Sequence, residues 1–219
     1  MIRSSRRAAS IALAAVLLAA RAAHADPSAA DVESAKLQYH DGKELRDKGD
    51  LAGALARFKA AFALVPTPIT ALEVGRTQIA MGHVIDGRET LLAIAKLPKK
   101  PDESEKAADA RAEAEKLADE SKAKLATVTV AVPGDAPAAV SIDGATIPPE
   151  ASRAPRVVDP GHHVITVKQG NQNGRAEIDV AEGEQRSIAV TLVADAPPPP
   201  PPPLPHAAFK PNALLGSRS

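Results

Sequence analysis

The chain of 219 residues has no cysteine and no tryptophan, and only one tyrosine and three phenylalanines. Without cysteine there are no disulfides, no thiolate metal sites and no thiol nucleophiles. The aromatics are Tyr39, Phe58, Phe62 and Phe209, too few to build stacking platforms for sugars or bases. Cores of Ala, Val, Leu and Ile are therefore expected. Net charge is also missing: 27 basic residues balance 27 acidic ones, which gives no electrostatic footprint for nucleic acid. Beyond residue 25 no apolar run approaches the roughly 20 residues that cross a bilayer. No Gly-rich phosphate loop and no H-E-x-x-H helix occurs, and Ser141 does not sit in a G-x-S-x-G elbow.

The first 25 residues have the layout of a secretory signal. Arg3, Arg6 and Arg7 form a basic start, Ile11 to Ala20 a short apolar core, and Ala23-His24-Ala25 a small-x-small cleavage pattern. This predicts export, with residues 1–25 removed and the mature chain beginning at Asp26. Without the segment's four arginines, 23 basic residues face 27 acidic ones, a formal charge of −4. The segment lacks the cysteine of a bacterial lipoprotein. A protein of the bacterial periplasm, or a secreted one, without a stable transmembrane anchor is expected.

Residues 26–125 read as helical. Leu51, Ala54, Leu55, Phe58, Ala61, Phe62 and Val65 recur at three- and four-residue spacings and share one face. Gly49 can close the preceding helix in a left-handed conformation, and Asp50 can cap the next. Pro66 and Pro68 end the run. Upstream, Ala35 to Lys48 supplies Leu37, Tyr39 and Leu45 for an opposing helix. Thirty-three residues on, Gly42, Gly49, Ala54 and Phe58 have counterparts in Gly75, Gly82, Gly87 and Leu91. A period near 34 in helix-turn-helix units is a repeat signature.

On these residues the first half resembles tetratricopeptide (TPR) repeats. Gly42, Gly49, Asp50, Ala54, Leu55, Phe58, Ala61 and Pro66 fall where that motif wants them. Gln38 and Asp41 depart from it, as do Gly87, His83 and Ile94 in the second unit. An unrelated pair of helical hairpins is the alternative. After Lys99, Lys100 and Pro101 the sequence predicts a polar, alanine-rich helix, with Asp102 and Glu105 as its capping box. Ala107, Ala110, Ala114, Leu117 and Ala118 form a stripe suited to sealing the end of a repeat stack; a semi-rigid spacer is the other reading.

At Thr127 the period falls to two, and residues 126–194 read as a β domain. Val128, Val130 and Val132 alternate with small or polar neighbours. Further strands are expected around Ala139–Ile142, at Val157-Val158, along His163, Ile165 and Val167, along Ala176, Ile178 and Val180, and along Ile188, Val190 and Leu192. Asp143-Gly144 is a tight-hairpin signal, and Asn173-Gly174 reads as a second turn. The expected architecture is α+β as separate domains: helical hairpins, then a small antiparallel β-sandwich. V-x-V-A-V-P-G at Val128 to Gly134, V-S-I-D-G at Val140 to Gly144 and D-P-G-H-H-V-I-T-V at Asp159 to Val167 make this half similar to PEGA domains. The literal Pro-Glu-Gly-Ala string is absent; Pro133-Gly134-Asp135-Ala136 occupies the related turn. Residues 195–219, with prolines at 197–203, read as a disordered tail or spacer, or a ligand for an aromatic groove.

Candidate chemistry is thin. His162 and His163 are adjacent in a predicted strand, so their rings point to opposite faces and do not chelate one ion easily, even with Asp159 near. Asp41, Glu44, Asp47 and Asp50 alternate with Lys43, Arg46 and Lys48, the pattern of a solvated surface. No catalytic residue, metal site or cofactor is assigned. The TPR resemblance implies a face for a protein or peptide partner, drawn from Gln38, Asp41, Leu45, Thr77, Gln78 and Met81; ordinary packing and solvated surface is the alternative. The expected role is a non-enzymatic periplasmic or envelope-associated protein-interaction module. The alternative is binding of a cell-wall polymer, peptidoglycan, through the β domain.

Overall fold

Ser28 starts the first helix. Its hydroxyl accepts from the Asp31 amide at 3.1 Å, and the Asp31 carboxylate accepts from the Ser28 amide at 3.0 Å, a reciprocal cap. In the computed structural model, which describes residues 26–134 and 136–194, α1 then runs Ala29–Asp47. It begins before the apolar pattern does, because residues 29–34 are largely exposed and carry no apolar period. The expected signal segment, Asp135 and the proline-rich tail lie outside the described residues.

The turns between helices follow their local chemistry. Gly49 sits at φ 84°, and Asp50 accepts from the Gly53 amide at 2.9 Å to open α2 (Leu51–Leu64). Thr67 and Thr70 cap each other's amides. Pro68 takes the first position of α3 (Pro68–Ala80), where its missing amide proton costs nothing. Gly82, at φ 86°, repeats the Gly49 turn ahead of α4 (Val84–Ala93). α5 spans Glu105–Lys122. Its cap is Ser104, which accepts from the Ala107 amide at 3.3 Å, and not the predicted Asp102. Glu103 instead turns onto Arg111 at 2.9 Å, so the helix begins only beyond that ion pair.

The hairpins α1–α2 and α3–α4 are closed by the same device. A Cβ at Gly42 would stand 2.7 Å from the Phe58 ring, and one at Gly75 would stand 2.8 Å from Leu91. Phe58 and Leu91 fill the space that the missing side chains leave, at 0% and 1% exposure. Full burial of such a side chain stabilises by about 1.5–3 kcal/mol. Phe58 packs with Ala54 and Val74, and Tyr39, Leu45 and Leu55 close around them. The α5 stripe Ala110, Ala114 and Ala118 joins Ala71, Leu72, Leu91 and Ile94 in a second core. Arg111 fastens α5 further, donating to the carbonyls of Ile94, Leu97 and Pro98.

Among the described residues the second half has eight strands: β1 Ala126–Ala131, β2 Ala139–Ile142, β3 Ala145–Ile147, β4 Arg156–Val158, β5 Gly161–Gln169, β6 Gln172–Val180, β7 Gln185–Ala189 and β8 Val193–Ala194. They form two sheets, ordered β4-β1-β7 and β3-β2-β5-β6-β8. One core, including Val128, Val130, Val140, Ile165, Val167, Ile178 and Val190, lies between them. The period-two residues point inward because alternate side chains of a strand share a face. Asp143 and Gly144, at φ 52° and 82°, make the expected two-residue turn between β2 and β3.

Three strand expectations need correction. β1 and β7 run parallel, from Thr127↔Gln185 to Ala131↔Ala189, so the region is not antiparallel throughout. Asn173-Gly174 is no turn: both lie inside β6, and the β5–β6 hairpin reverses at Gly170-Asn171. Gly174 is needed for close approach instead, since a Cβ there would collide with the Thr191 carbonyl and stand 2.8 Å from Val190. Of the expected last strand through Ile188, Val190 and Leu192, only Ile188 lies in a strand, β7; Val190 and Leu192 lie in the connection to β8, where the chain crosses from one sheet to the other over Gly174.

Candidate functional site

Of the six residues expected to form one face, two are packed away. Thr77 is 2% exposed and donates from its hydroxyl to the Glu73 carbonyl at 2.7 Å. Gln78 is 7% exposed and accepts from the Thr90 hydroxyl of α4 at 2.8 Å. Gln78 ties α3 to α4, Thr77 bonds back within α3, and neither offers free surface. Gln38 accepts from Arg57 of α2 at 3.0 Å. Leu45 packs against the Phe58 cluster, and Asp41 and Met81 are half-buried. The six therefore do not make one open face.

An ion network that sequence spacing does not mark does join the first helices of the hairpins. Arg46 of α1 meets Glu73 of α3 at 2.6 Å. Arg76 meets Glu73 at 3.4 Å and also pairs with Glu113 of α5. The partners in the two pairs that cross between helices, Arg46–Glu73 and Arg76–Glu113, are 27 and 37 residues apart, far outside the i,i+4 window in which charge pairing is legible in sequence. The Glu73 side chain is 9% exposed and holds two guanidiniums, which fixes the lateral register of α1, α3 and α5. Burial, with a smaller contribution from the Glu73 charge, pushes the Tyr39 hydroxyl above its ordinary pKa. Beside the network, α5 carries a shallow hollow of about 440 Å³ lined by Asp109, Ala112, Glu113, Lys116, Leu117 and Glu120.

No family model, curated protein or solved structure matches this chain.

The β region offers two further places. Ser141, Thr146, Thr166, Lys168 and Arg175 line a hollow of about 450 Å³ on the outer face of the five-stranded sheet. The Ser141 and Thr166 hydroxyls meet there at 2.8 Å. At the other end of β5, His162 and His163 do point to opposite faces. His162 is exposed beside Asp179 at 3.1 Å and Glu177 at 3.7 Å. His163 is 7% exposed. Its Nδ1 lies 2.6 Å from Asp143 Oδ2 and its Nε2 lies 2.7 Å from the Asp159 main-chain oxygen. Among the described residues no group of three His, Asp or Glu side chains is placed to hold a metal.

Two opposed effects set the charge of His163. Burial penalises the imidazolium, but the hydrogen bonds to Asp143 and to the Asp159 carbonyl, with the charges of both residues, outweigh it and raise the pKa. Burial likewise disfavours the Asp143 carboxylate. Hydrogen bonds from His163 and from the Val164 amide, together with the charges of His163 and His162, reverse that and lower its pKa. The same corner touches the helices. α4 has no side-chain cap from its own N-cap residue, His83. Asp159 Oδ1 accepts from the Ile85 amide at 2.8 Å instead.

Proposed function

We propose that the protein is a non-enzymatic interaction module of the bacterial periplasm or envelope, built from two TPR-like hairpins and a PEGA-like sandwich. The observation that carries this is the repeated closure of the hairpins: Gly42 against Phe58, Gly75 against Leu91, each pair bracketing a left-handed glycine turn seven residues after its glycine. Helical hairpins stacked in this way build a continuous surface across successive units that can serve recognition. Here that surface is the strip along α1, α3 and α5, with Arg46, Arg76 and Glu113 at its centre. A protein or peptide partner with both charge signs suits it. The basic start, short apolar core and Ala23-His24-Ala25 pattern support export. Among the described residues no helix is long and apolar enough to cross a membrane.

Cysteine-free sequence makes the test clean. Lys43, exposed on α1 one turn before Arg46, and Val193, 65% exposed on β8, are each replaced by cysteine and crosslinked in intact cells. The module reading expects a reproducible protein adduct from Lys43→Cys and none from Val193→Cys. Absence of any adduct from the helical strip counts against it. The hydroxyl-lined hollow on the outer sheet favours a second reading, binding of peptidoglycan by the β domain. Co-sedimentation of the full chain with purified peptidoglycan, lost in Lys168→Ala/Arg175→Ala, would support that version; no co-sedimentation removes it.

A further inference from the structure

We propose that His163 is a pH-sensitive latch holding the β region against the second helical hairpin. Both ring nitrogens of this buried side chain face oxygens that only accept: the Asp143 carboxylate at Nδ1, and the Asp159 carbonyl at Nε2. A neutral imidazole carries one N–H and can satisfy one of them; the imidazolium satisfies both. The geometry is therefore that of the charged form.

The Asp159 carbonyl is not a bystander. It belongs to the residue whose carboxylate caps α4 through the Ile85 amide at 2.8 Å. Asp143, in the β2–β3 turn, is held in place by the Val164 amide at 2.9 Å. Proton loss from His163 leaves the remaining N–H with the stronger, anionic acceptor, Asp143. The bare Nε2 lone pair then faces the Asp159 carbonyl oxygen at hydrogen-bond distance. That repulsion moves the Asp159 main chain, and the cap on α4 moves with it. The charged groups facing His163 are Asp143 from the β2–β3 turn and Asp159 from the β4–β5 connection. His162, on the opposite face of β5, is engaged by Glu177 and Asp179 of β6. From α4 the corner receives the Ile85 amide, with Asp86 the acidic residue of that turn.

The sign is fixed by the direction of the shift. A histidine whose folded pKa is raised above its ordinary 6.5 contributes fully below that value and loses the contribution as pH rises through the folded pKa. The latch is closed in mild acid and opens as pH rises through the raised pKa of His163. It does not depend on whether the helical strip binds a partner.

Amide hydrogen exchange on the full chain, corrected for intrinsic rates, tests it at Ile85 between pH 6 and pH 9. Loss of one hydrogen bond to a charged group predicts a fall in protection of about tenfold across that range, with the midpoint tracking the His163 ring titration seen by NMR. His163→Gln should abolish the pH dependence, and His162→Gln should leave it intact. Asp143→Asn should shift the midpoint to lower pH; it keeps the proposal testable if the His163 variant does not fold. Ile85 protection that is flat with pH in the unaltered protein, or a His162→Gln variant that abolishes the response, overturns the latch.

Discussion

The Asp159 carboxylate caps α4 at the Ile85 amide, 74 residues away in sequence and in the other half of the chain. Helix caps are ordinarily supplied by the residue just before the first turn; here His83 occupies that place and contributes no side-chain bond. The first turn of α4 therefore depends on the β region being folded and docked.

Asp159→Ala should lower global stability by about 1 kcal/mol, the usual cost of losing a cap. Asp159→Asn, which keeps an acceptor oxygen, should cost less. Urea unfolding monitored by circular dichroism reads both. An Asp159→Ala protein as stable as the parent would mean that the cap adds nothing.

Gly42→Ala and Gly75→Ala should each destabilise despite placing a better helix former in a helix. Alanine gains about 1 kcal/mol of helix propensity over glycine. Its Cβ, however, must fit 2.7 Å from the Phe58 ring or 2.8 Å from Leu91, and overpacking of this kind costs about 1–3 kcal/mol. Combining Gly42→Ala with Phe58→Leu should recover part of the loss. Thermal melts of the single and double variants decide it.

The two carboxylates of the Arg46–Glu73–Arg76–Glu113 network should respond very differently to neutralisation. Glu73 is 9% exposed and holds two guanidiniums, so Glu73→Gln should cost about 1.5–3 kcal/mol. Glu113 is 42% exposed, and Glu113→Gln should change stability by no more than about 1 kcal/mol. Equal effects from the two substitutions would show that the network does not centre on Glu73.

Stability should depend on pH through Asp143 and His163 in opposite directions. The lowered Asp143 pKa gives a contribution present above its ordinary 3.8 and lost as pH falls through the folded value. The raised His163 pKa gives one present below 6.5 and lost as pH rises through the folded value. The pair therefore contributes most between those limits. The denaturation midpoint of the unaltered protein should pass through a maximum there, and Asp143→Asn should flatten both flanks.

Much of the helical half is legible in sequence because its determinants are local. Gly49, Asp50, Pro66 and Pro68 mark boundaries by backbone chemistry, and the spacing of Ala54, Phe58 and Ala61 marks a buried face. The change to a period of two at Thr127 likewise locates the β region. What local chemistry does not carry is partnership. Glu73 looks like any surface acid until the α1–α3 approach buries it between two arginines. Thr77 and Gln78 look like surface polar residues until Thr90 and the Glu73 carbonyl satisfy them. Gly174 follows an asparagine and so reads as a turn; the reason for it is the crossing chain at Thr191, distant in sequence. Ser28 gives no start signal in the sequence, because the first turns of the helix after it bury almost nothing.

The parallel β1–β7 ladder sets an order of events during synthesis. β1 follows α5 almost at once, yet β7, which covers one of its edges, emerges about 50 residues later, after β2 to β6. Until Gln185–Ala189 arrive, a run of Val and Thr waits with its amides and carbonyls bare beside finished helices, an open template for another chain. Truncations that stop after β6 should therefore yield aggregates rather than a smaller soluble protein, and closure of this distant pairing should be the slow step in folding.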